Sequence, residues 1–170
     1  MNRKVELVFE ELLFAKDIEA FLCHELELLD ARRFDEWTDL FTEEGYYWAP
    51  ATIDQEYPTS GVSLFFDDVP MLRTRFARLS HPRVHSQIPA SRTSHMVSNI
   101  VVGKRDNHGI FQVTARFEML EYRPGHAQRI FGGKYEYQLR VENAGELKIV
   151  LKKAVIINCD DVHLPIAIPF

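Results

Sequence analysis

The feature that most constrains the fold is a change of hydrophobic period along the chain. Within residues 8–29, apolar side chains recur at steps of three and four, at Val8, Leu12, Ala15, Ile18, Leu22, Leu26 and Leu29. That spacing predicts an amphipathic helix. From Ser91 onward the apolar period is two, which is typical of half-buried strands. Helices followed by strands, rather than alternating with them, favour an α+β fold.

Two further helices are predicted before the strands. The first is a short one, indicated by Phe34, Trp37, Leu40 and Phe41. Residues 46–50 form an aromatic segment that predicts a strand, and residues 52–62 are rich in turn-forming residues and predict a loop. The third helix follows that loop, with Asp67 or Asp68 as its cap and Pro70 in its first turn. Its apolar face comprises Val69, Leu72, Phe76 and Leu79, and His81-Pro82 ends it.

Four long strands are predicted in the second half, over residues 92–104, 110–122, 129–141 and 147–158. Turn residues at 123–125 and 143–145 separate three of them. Sequential hairpins of this kind form a meander with one face to cover, and the three helices are the natural cover. Because no repeat or linker interrupts the pattern, residues 1–170 are expected to form a single domain.

Four segments, in order, resemble the small (beta) subunits of Rieske-type aromatic-ring-hydroxylating dioxygenases. They are SLFFDDVPMLRTRFARLS, IPASRTSHMVSNIVV, RIFGGKYEYQLRV and LKIVLKKAVIINCDDVHLPIAIPF. The first matches an acidic helix start with spaced arginines, and the second a Pro-Ser-Arg-Thr, His and Ser-Asn strand. The third matches a Phe-Gly strand ending in Leu-Arg, and the fourth a Lys-Ile strand, Asn-Asp turn and apolar tail. The resemblance covers nearly the whole chain.

The resemblance implies a cone-shaped, nuclear transport factor 2-like fold, with a curved antiparallel sheet covered by three N-terminal helices. It also implies a larger alpha subunit that carries a Rieske iron–sulfur cluster and a mononuclear iron. Three alpha and three beta chains would form a hetero-hexamer containing a beta trimer, and a separate reductase would supply electrons. The beta subunit would be a structural, non-catalytic part of an enzyme that dihydroxylates aromatic compounds for catabolism.

Charge and hydropathy exclude several other classes of protein. The net charge of −5 argues against a nucleic-acid-binding surface, which needs clustered Lys and Arg. No apolar run approaches the length of about 20 residues that spans a bilayer, and the N-terminal sequence is too acidic for a signal peptide. A cytoplasmic location is therefore expected. Cys23 and Cys159 are expected to be two buried free thiols.

Metal-binding patterns are missing from the sequence. A Rieske centre takes two Cys and two His in paired clusters, whereas Cys23 is followed only by His24 and Cys159 has only His163 nearby. His81 and His85 are four residues apart, but Pro82 lies between them at a predicted helix end. We therefore expect no metal or other cofactor in this chain. GxGxxG, Walker, GxSxG and HExxH motifs are also absent.

An alternative function rests on a possible acid–base cluster. His95 is predicted on one strand face with Thr93, Val97, Asn99 and Val101. Asp30 at the end of the first helix and Tyr47 on an early strand could converge with it in a cone-shaped fold. Such a cluster suits a stand-alone isomerase or dehydratase, and a non-enzymatic small-ligand-binding protein is a further alternative. The competing interpretation is a set of hydrogen-bonded polar groups with a structural role.

Two segments are candidate interfaces. The first is a local concentration of arginines at Arg73, Arg75, Arg78, Arg83 and Arg92, which suits either a protein contact or a solvated helix face. The second is the apolar tail, residues 164–170, in which Ile168 and Phe170 are candidate contact residues. The tail is expected to pack either on its own sheet or on a neighbouring subunit.

Overall fold

The structure is a computed structural model that describes residues 3–79, 88–142 and 145–170. Its elements are α1 (Arg3–Asp30), α2 (Phe34–Asp39), β1 (Phe41–Pro50), a 3₁₀ turn (Pro58–Ser60), β2 (Ser63–Asp68), α3 (Val69–Leu79), β3 (Arg92–Arg105), β4 (Ile110–Tyr122), β5 (Arg129–Val141) and β6 (Leu147–Ile156). The predicted end of the third helix at His81-Pro82 lies outside the described residues.

The six strands form one curved sheet in the order β2-β1-β6-β5-β4-β3. Strands β3 to β6 are the predicted antiparallel meander. Strand β1, however, pairs with β6 in the parallel direction, so the sheet is mixed rather than wholly antiparallel. A parallel pair requires a long connection, and here β2, α3 and the entire meander supply it.

Two features of the first half differ from those expected. Residues 63–68, which lie between the predicted loop and the first residues of the third helix, form an additional strand β2 that pairs antiparallel with β1. Helix α3 begins after that strand, and the Asp68 side chain caps it as predicted, by accepting a hydrogen bond from the Met71 backbone N–H (2.8 Å). Strand β1 begins at Phe41, which was expected to belong to the second helix.

The helices pack on the inner face of the sheet. The predicted stripe of α1 is buried at Ile18, Leu22, Leu26 and Leu29, whereas Leu12 is 58% exposed. The inner face of β4 and β5 alternates as predicted and carries Val113, Ala115, Phe117, Met119, Phe131, Tyr135, Tyr137 and Leu139. Phe117 and Tyr135 stack with ring centroids 4.0 Å apart. Full burial of a Val, Leu, Phe or Met side chain contributes about 1.5–3 kcal/mol.

The C-terminal tail completes this core. Ile168 and Phe170 are 1% and 0% exposed within the single chain. The Phe170 ring contacts three others, those of Phe65, Phe117 and Phe131. Of the two placements left open by the sequence, the tail takes the one inside its own fold, so these two side chains are not presented at the surface.

A bulge in β3 overturns part of the predicted strand face. Asn99 has a φ of +52°, and the pairing of β3 with β4 shifts between Ser98 and Val101. An extra residue reverses the faces of the strand beyond it. Thr93, His95 and Val97 therefore face inward as expected, but Asn99 and Val101 are exposed. Ile100 and Val102 pack against the core in their place.

Candidate functional site

His95 and Asp30 come together inside the fold. Asp30 is the last residue of α1, and His95 lies on the inner face of β3. His95 Nδ1 lies 2.6 Å from Asp30 Oδ1, and the His95 backbone N–H donates to Oδ2 (2.8 Å). The His95 side chain is 0% exposed and that of Asp30 is 22% exposed. The pair therefore fastens the end of the helix to the sheet.

The protonation of this pair follows from its surroundings. Burial raises the pKa of Asp30, but the two hydrogen bonds from His95 and the nearby Thr93 hydroxyl outweigh that effect and hold the pKa below its ordinary value. An ionised carboxylate can only accept, so Nδ1 carries the proton. His95 Nε2 is left buried and has no hydrogen-bond partner within the described part of the chain.

Tyr47 has a different contact. It is fully buried on β1, and its hydroxyl accepts a hydrogen bond from the Phe170 backbone N–H (3.0 Å) rather than from His95 or Asp30. Burial raises the pKa of Tyr47 far above its ordinary value, so the hydroxyl stays protonated. The structure thus unites two of the three residues of the predicted acid–base cluster, and the third holds the C-terminus.

A second polar cluster, which the sequence did not reveal, lies on the same inner side of the sheet. We call it the Glu25 cluster: Glu25, Trp37, Tyr137 and Lys152. Glu25 accepts hydrogen bonds from Trp37 Nε1, from Tyr137 Oη (3.0 Å) and from Lys152 Nζ (2.7 Å). All four side chains are buried. Their polar groups satisfy one another and join α1, α2, β5 and β6.

Lys152 is held by charge and by aromatic rings. Its ammonium lies 4.5 Å from the centroid of Tyr135, in a position suited to a cation–π contact. Burial lowers the pKa of Lys152, while Glu25 opposes that shift. The neighbouring Tyr135 hydroxyl is buried and has no hydrogen-bond partner among the described residues, and burial raises its pKa. This hydroxyl and His95 Nε2 are two of the four buried side-chain atoms that have no hydrogen-bond partner within the described residues.

The arginine segment has a mixed structural role. Arg75 makes a bidentate contact with Asp67 (2.7 and 2.9 Å) and lies over Phe65. Arg73 binds Asp39 (2.7 Å) at the surface, and Arg92 lies over Tyr122. Arg78 is exposed and makes no ion pair with any described residue. Arg83 lies outside the described residues.

The cysteines differ from expectation in one respect. Cys159 is buried, but Cys23 is exposed because it lies on the solvent side of α1.

No group of three or more His, Cys, Asp and Glu that could hold a metal occurs within residues 3–79, 88–142 and 145–170. His81 and His85 lie outside those ranges. No helix in those same ranges is long and apolar enough to cross a membrane.

Comparison with known proteins agrees with this architecture. The sequence profile of the ring hydroxylating beta subunit family matches residues 24–160. The chain is 33% identical over 150 residues to the small oxygenase component of the p-cumate 2,3-dioxygenase system of Pseudomonas putida, covering 87% of this chain and 82% of that protein.

Solved structures give the same result. The beta subunit of benzoate 1,2-dioxygenase from Burkholderia mallei superposes with a TM-score of 0.71 at 27% identity, covering 88% of this chain and 94% of that one. A scytalone dehydratase-like protein from Novosphingobium aromaticivorans shares the fold alone, with a TM-score of 0.67 at 18% identity and 94% of each chain covered. The fold is the cone-shaped, nuclear transport factor 2-like fold. The chain belongs to the ring-hydroxylating beta-subunit family.

Proposed function

We propose that this chain is the non-catalytic beta subunit of a multicomponent dioxygenase that dihydroxylates an aromatic compound. The family match over residues 24–160 carries the proposal. The relatives named above belong to p-cumate and benzoate dioxygenases. Both compounds contain a benzene ring, so the proposed substrate class is an aromatic compound used in catabolism.

The proposal places the redox chemistry in a larger alpha subunit. That partner would carry a Rieske iron–sulfur cluster and a mononuclear iron, and three copies of each chain would form a cytoplasmic hetero-hexamer. Each copy of this chain would contribute one domain.

The contribution of this chain is positional. The Glu25 cluster, the His95–Asp30 pair and the buried tail join the helices and the C-terminus to the sheet. Such contacts between elements that are distant in sequence make a rigid scaffold. A rigid beta trimer would hold neighbouring alpha subunits at a fixed separation, so that electrons can pass from the cluster of one to the mononuclear iron of the next.

Affinity purification tests the proposal. A tagged copy is expressed in its own source cell, and the native complex is analysed by mass spectrometry. We expect a stable complex with a larger chain that carries paired Cys/His ligands. A homo-oligomer from cells that also express such a larger chain would contradict the proposal.

The contact between His95 and Asp30 favours a second candidate function, a stand-alone isomerase or dehydratase. An imidazole oriented by a carboxylate leaves Nε2 free to accept a proton from a substrate. The fold shared with the scytalone dehydratase-like protein is compatible with such chemistry. This candidate predicts pH-dependent turnover by the isolated chain that disappears in His95→Ala. Saturable binding of an aromatic compound without turnover would instead indicate a small-ligand-binding protein.

A further inference from the structure

The outer face of the sheet, opposite the helices, carries a groove with a volume of about 360 Å³. We call it the outer groove. Its lining includes outward-facing side chains of β4, β5 and β6, the residue that follows β6 and one residue of the loop after β1: Arg116, Lys134, Glu136, Lys153, Val155, Ile157 and Ile53. Arg116, Lys134 and Val155 are direct neighbours across three strands.

The outer groove is positively charged in an acidic protein. It contains three cations and one carboxylate, a local balance of +2, whereas the chain carries −5. Glu136 lies 2.8 Å from Lys134 and 3.5 Å from Lys153. Burial raises the pKa of Glu136, but the two lysines outweigh that effect and keep it below its ordinary value. The Glu136 carboxylate therefore stays ionised and balances one of the three positive charges, so the groove keeps its net charge of +2.

Arg116 is the free cation of the outer groove. Its side chain is exposed, and it makes no hydrogen bond or ion pair with any described residue. Lys153, in contrast, is held 4.4 Å from the Trp48 ring centroid and beside Glu136. A planar guanidinium with open donors is suited to bidentate binding of a carboxylate.

Apolar side chains flank this cation. Ile53 and Ile157 are 63% and 74% exposed, although residues of this type are usually buried. An exposed arginine beside exposed isoleucines is the composition of a protein-contact surface, in which apolar contacts bury area and a charged group fixes the register.

We propose that the outer groove docks an acidic segment of the larger subunit, with a carboxylate on Arg116 and an apolar neighbour against Ile53 and Ile157. This inference rests on the proposed function and names the surface that meets the partner. A two-fold contact between two copies of this chain is disfavoured, because it would bring two grooves of like charge face to face. A three-fold contact in the proposed beta trimer would instead set the groove against a different surface of the next copy, and the test below separates that case. An acidic segment with an apolar neighbour can bind the Arg116 guanidinium and at the same time cover Ile53 and Ile157.

A charge-reversal pair tests the proposal. Arg116→Glu is compared with Lys104→Glu, a charge reversal at an exposed cation of β3 that makes no hydrogen bond or ion pair with any described residue. Each tagged variant is purified from its source cell, and the larger chain recovered per tagged chain is measured by native mass spectrometry. We expect Arg116→Glu to lower recovery more than about 10-fold and Lys104→Glu to leave it unchanged. Thermal unfolding of each purified variant verifies that both remain folded.

The outcomes separate this inference from the proposed function. If the wild-type chain recovers no larger chain, the proposed function fails and the docking site with it. If the wild type recovers it and Arg116→Glu does so equally, only the docking site is overturned. Equal loss from both variants would also overturn it, as would loss of self-association with the larger chain retained, because a second copy would then occupy the groove.

Discussion

Asp30 and His95 connect the end of helix α1 to strand β3 through two hydrogen bonds to one carboxylate. The histidine side chain is wholly buried and the aspartate is partly so. The contact joins residues that are 65 positions apart in sequence. It fixes the C-terminal end of the first helix against the sheet.

Removing this carboxylate should destabilise the fold. Asp30→Ala leaves buried donors of His95 without a partner, and we expect the free energy of unfolding to fall by about 1–3 kcal/mol. Asp17→Ala, at an exposed position of the same helix, should change it by less than about 0.5 kcal/mol. Urea denaturation at pH 7 measures both. Equal effects would show that the Asp30 contact contributes nothing.

The same pair predicts a pH dependence. Because the pKa of Asp30 is lower in the folded chain than in the unfolded one, its stabilising effect is complete above the ordinary aspartate pKa of about 3.9 and is lost as pH falls through the folded value. The stability difference between wild type and Asp30→Asn should therefore shrink on acidification. Urea denaturation at pH 7 and at successively lower pH measures it, and a difference that grows would contradict the account.

The Glu25–Lys152 ion pair should show strong coupling. Lys152→Met leaves the Glu25 carboxylate buried and without its cation, so we expect a loss of about 3–5 kcal/mol in the free energy of unfolding. Glu25→Gln combined with Lys152→Met removes both charges and should be less destabilising than Lys152→Met alone. Denaturation of the four proteins of this cycle measures the coupling. Lys104→Met, at an exposed position, is the control, and additive effects would refute the prediction.

The C-terminal tail, residues 164–170, should contribute to stability as part of the hydrophobic core. Phe170→Ala removes a ring that packs against three others, and we expect a loss of about 3–5 kcal/mol. Leu164→Ala, at a position that is 72% exposed, should have an effect of less than about 0.5 kcal/mol. Deleting residues 166–170 should lower the free energy of unfolding more than Phe170→Ala does, because it also removes the backbone N–H that donates a hydrogen bond to the Tyr47 hydroxyl. A deletion that leaves thermal unfolding unchanged would contradict this role.

The two thiols should differ in reactivity. Cys23 is exposed, whereas Cys159 is buried and its burial raises the pKa of the thiol. A chromogenic disulfide reagent should therefore modify one thiol per native chain rapidly and the second only in denaturant. Cys23→Ser should abolish the fast phase and Cys159→Ser should leave it intact. A fast phase that survives Cys23→Ser would contradict the placement of these residues.

The hydrophobic period of the sequence correctly predicted the strands in which every second side chain is buried on one face of the sheet. The bounds of β4 and β5 agree with residues 110–122 and 129–141, because each strand alternates without interruption. The parallel pairing of β1 with β6 is a contact between segments about a hundred residues apart, which no local pattern specifies. The bulge at Asn99 likewise depends on pairing with β4.

The site was predicted in part for the same reason. His95 and Asp30 were proposed from their places at a strand face and a helix end, and the structure brings them into contact. The sequence did not reveal the Glu25 cluster, because a charged residue can be recognised as buried only when its partner is known. Here the partner, Lys152, is 127 positions away in sequence. A signal of the cluster was present, since Glu25 lies three residues after Leu22 and four before Leu29 on the buried stripe of α1. Lys152 similarly alternates with the buried Ala154.

Iron content of the native complex tests the central claim most directly. The complex is isolated through the tagged chain from its source cell, and iron is counted per complex for the wild type and for alanine variants at His81, His85 and His95. The account predicts an iron-rich complex whose iron content is the same in all four proteins, because the metal belongs to the larger chain. Stoichiometric loss of iron in any one histidine variant would contradict it.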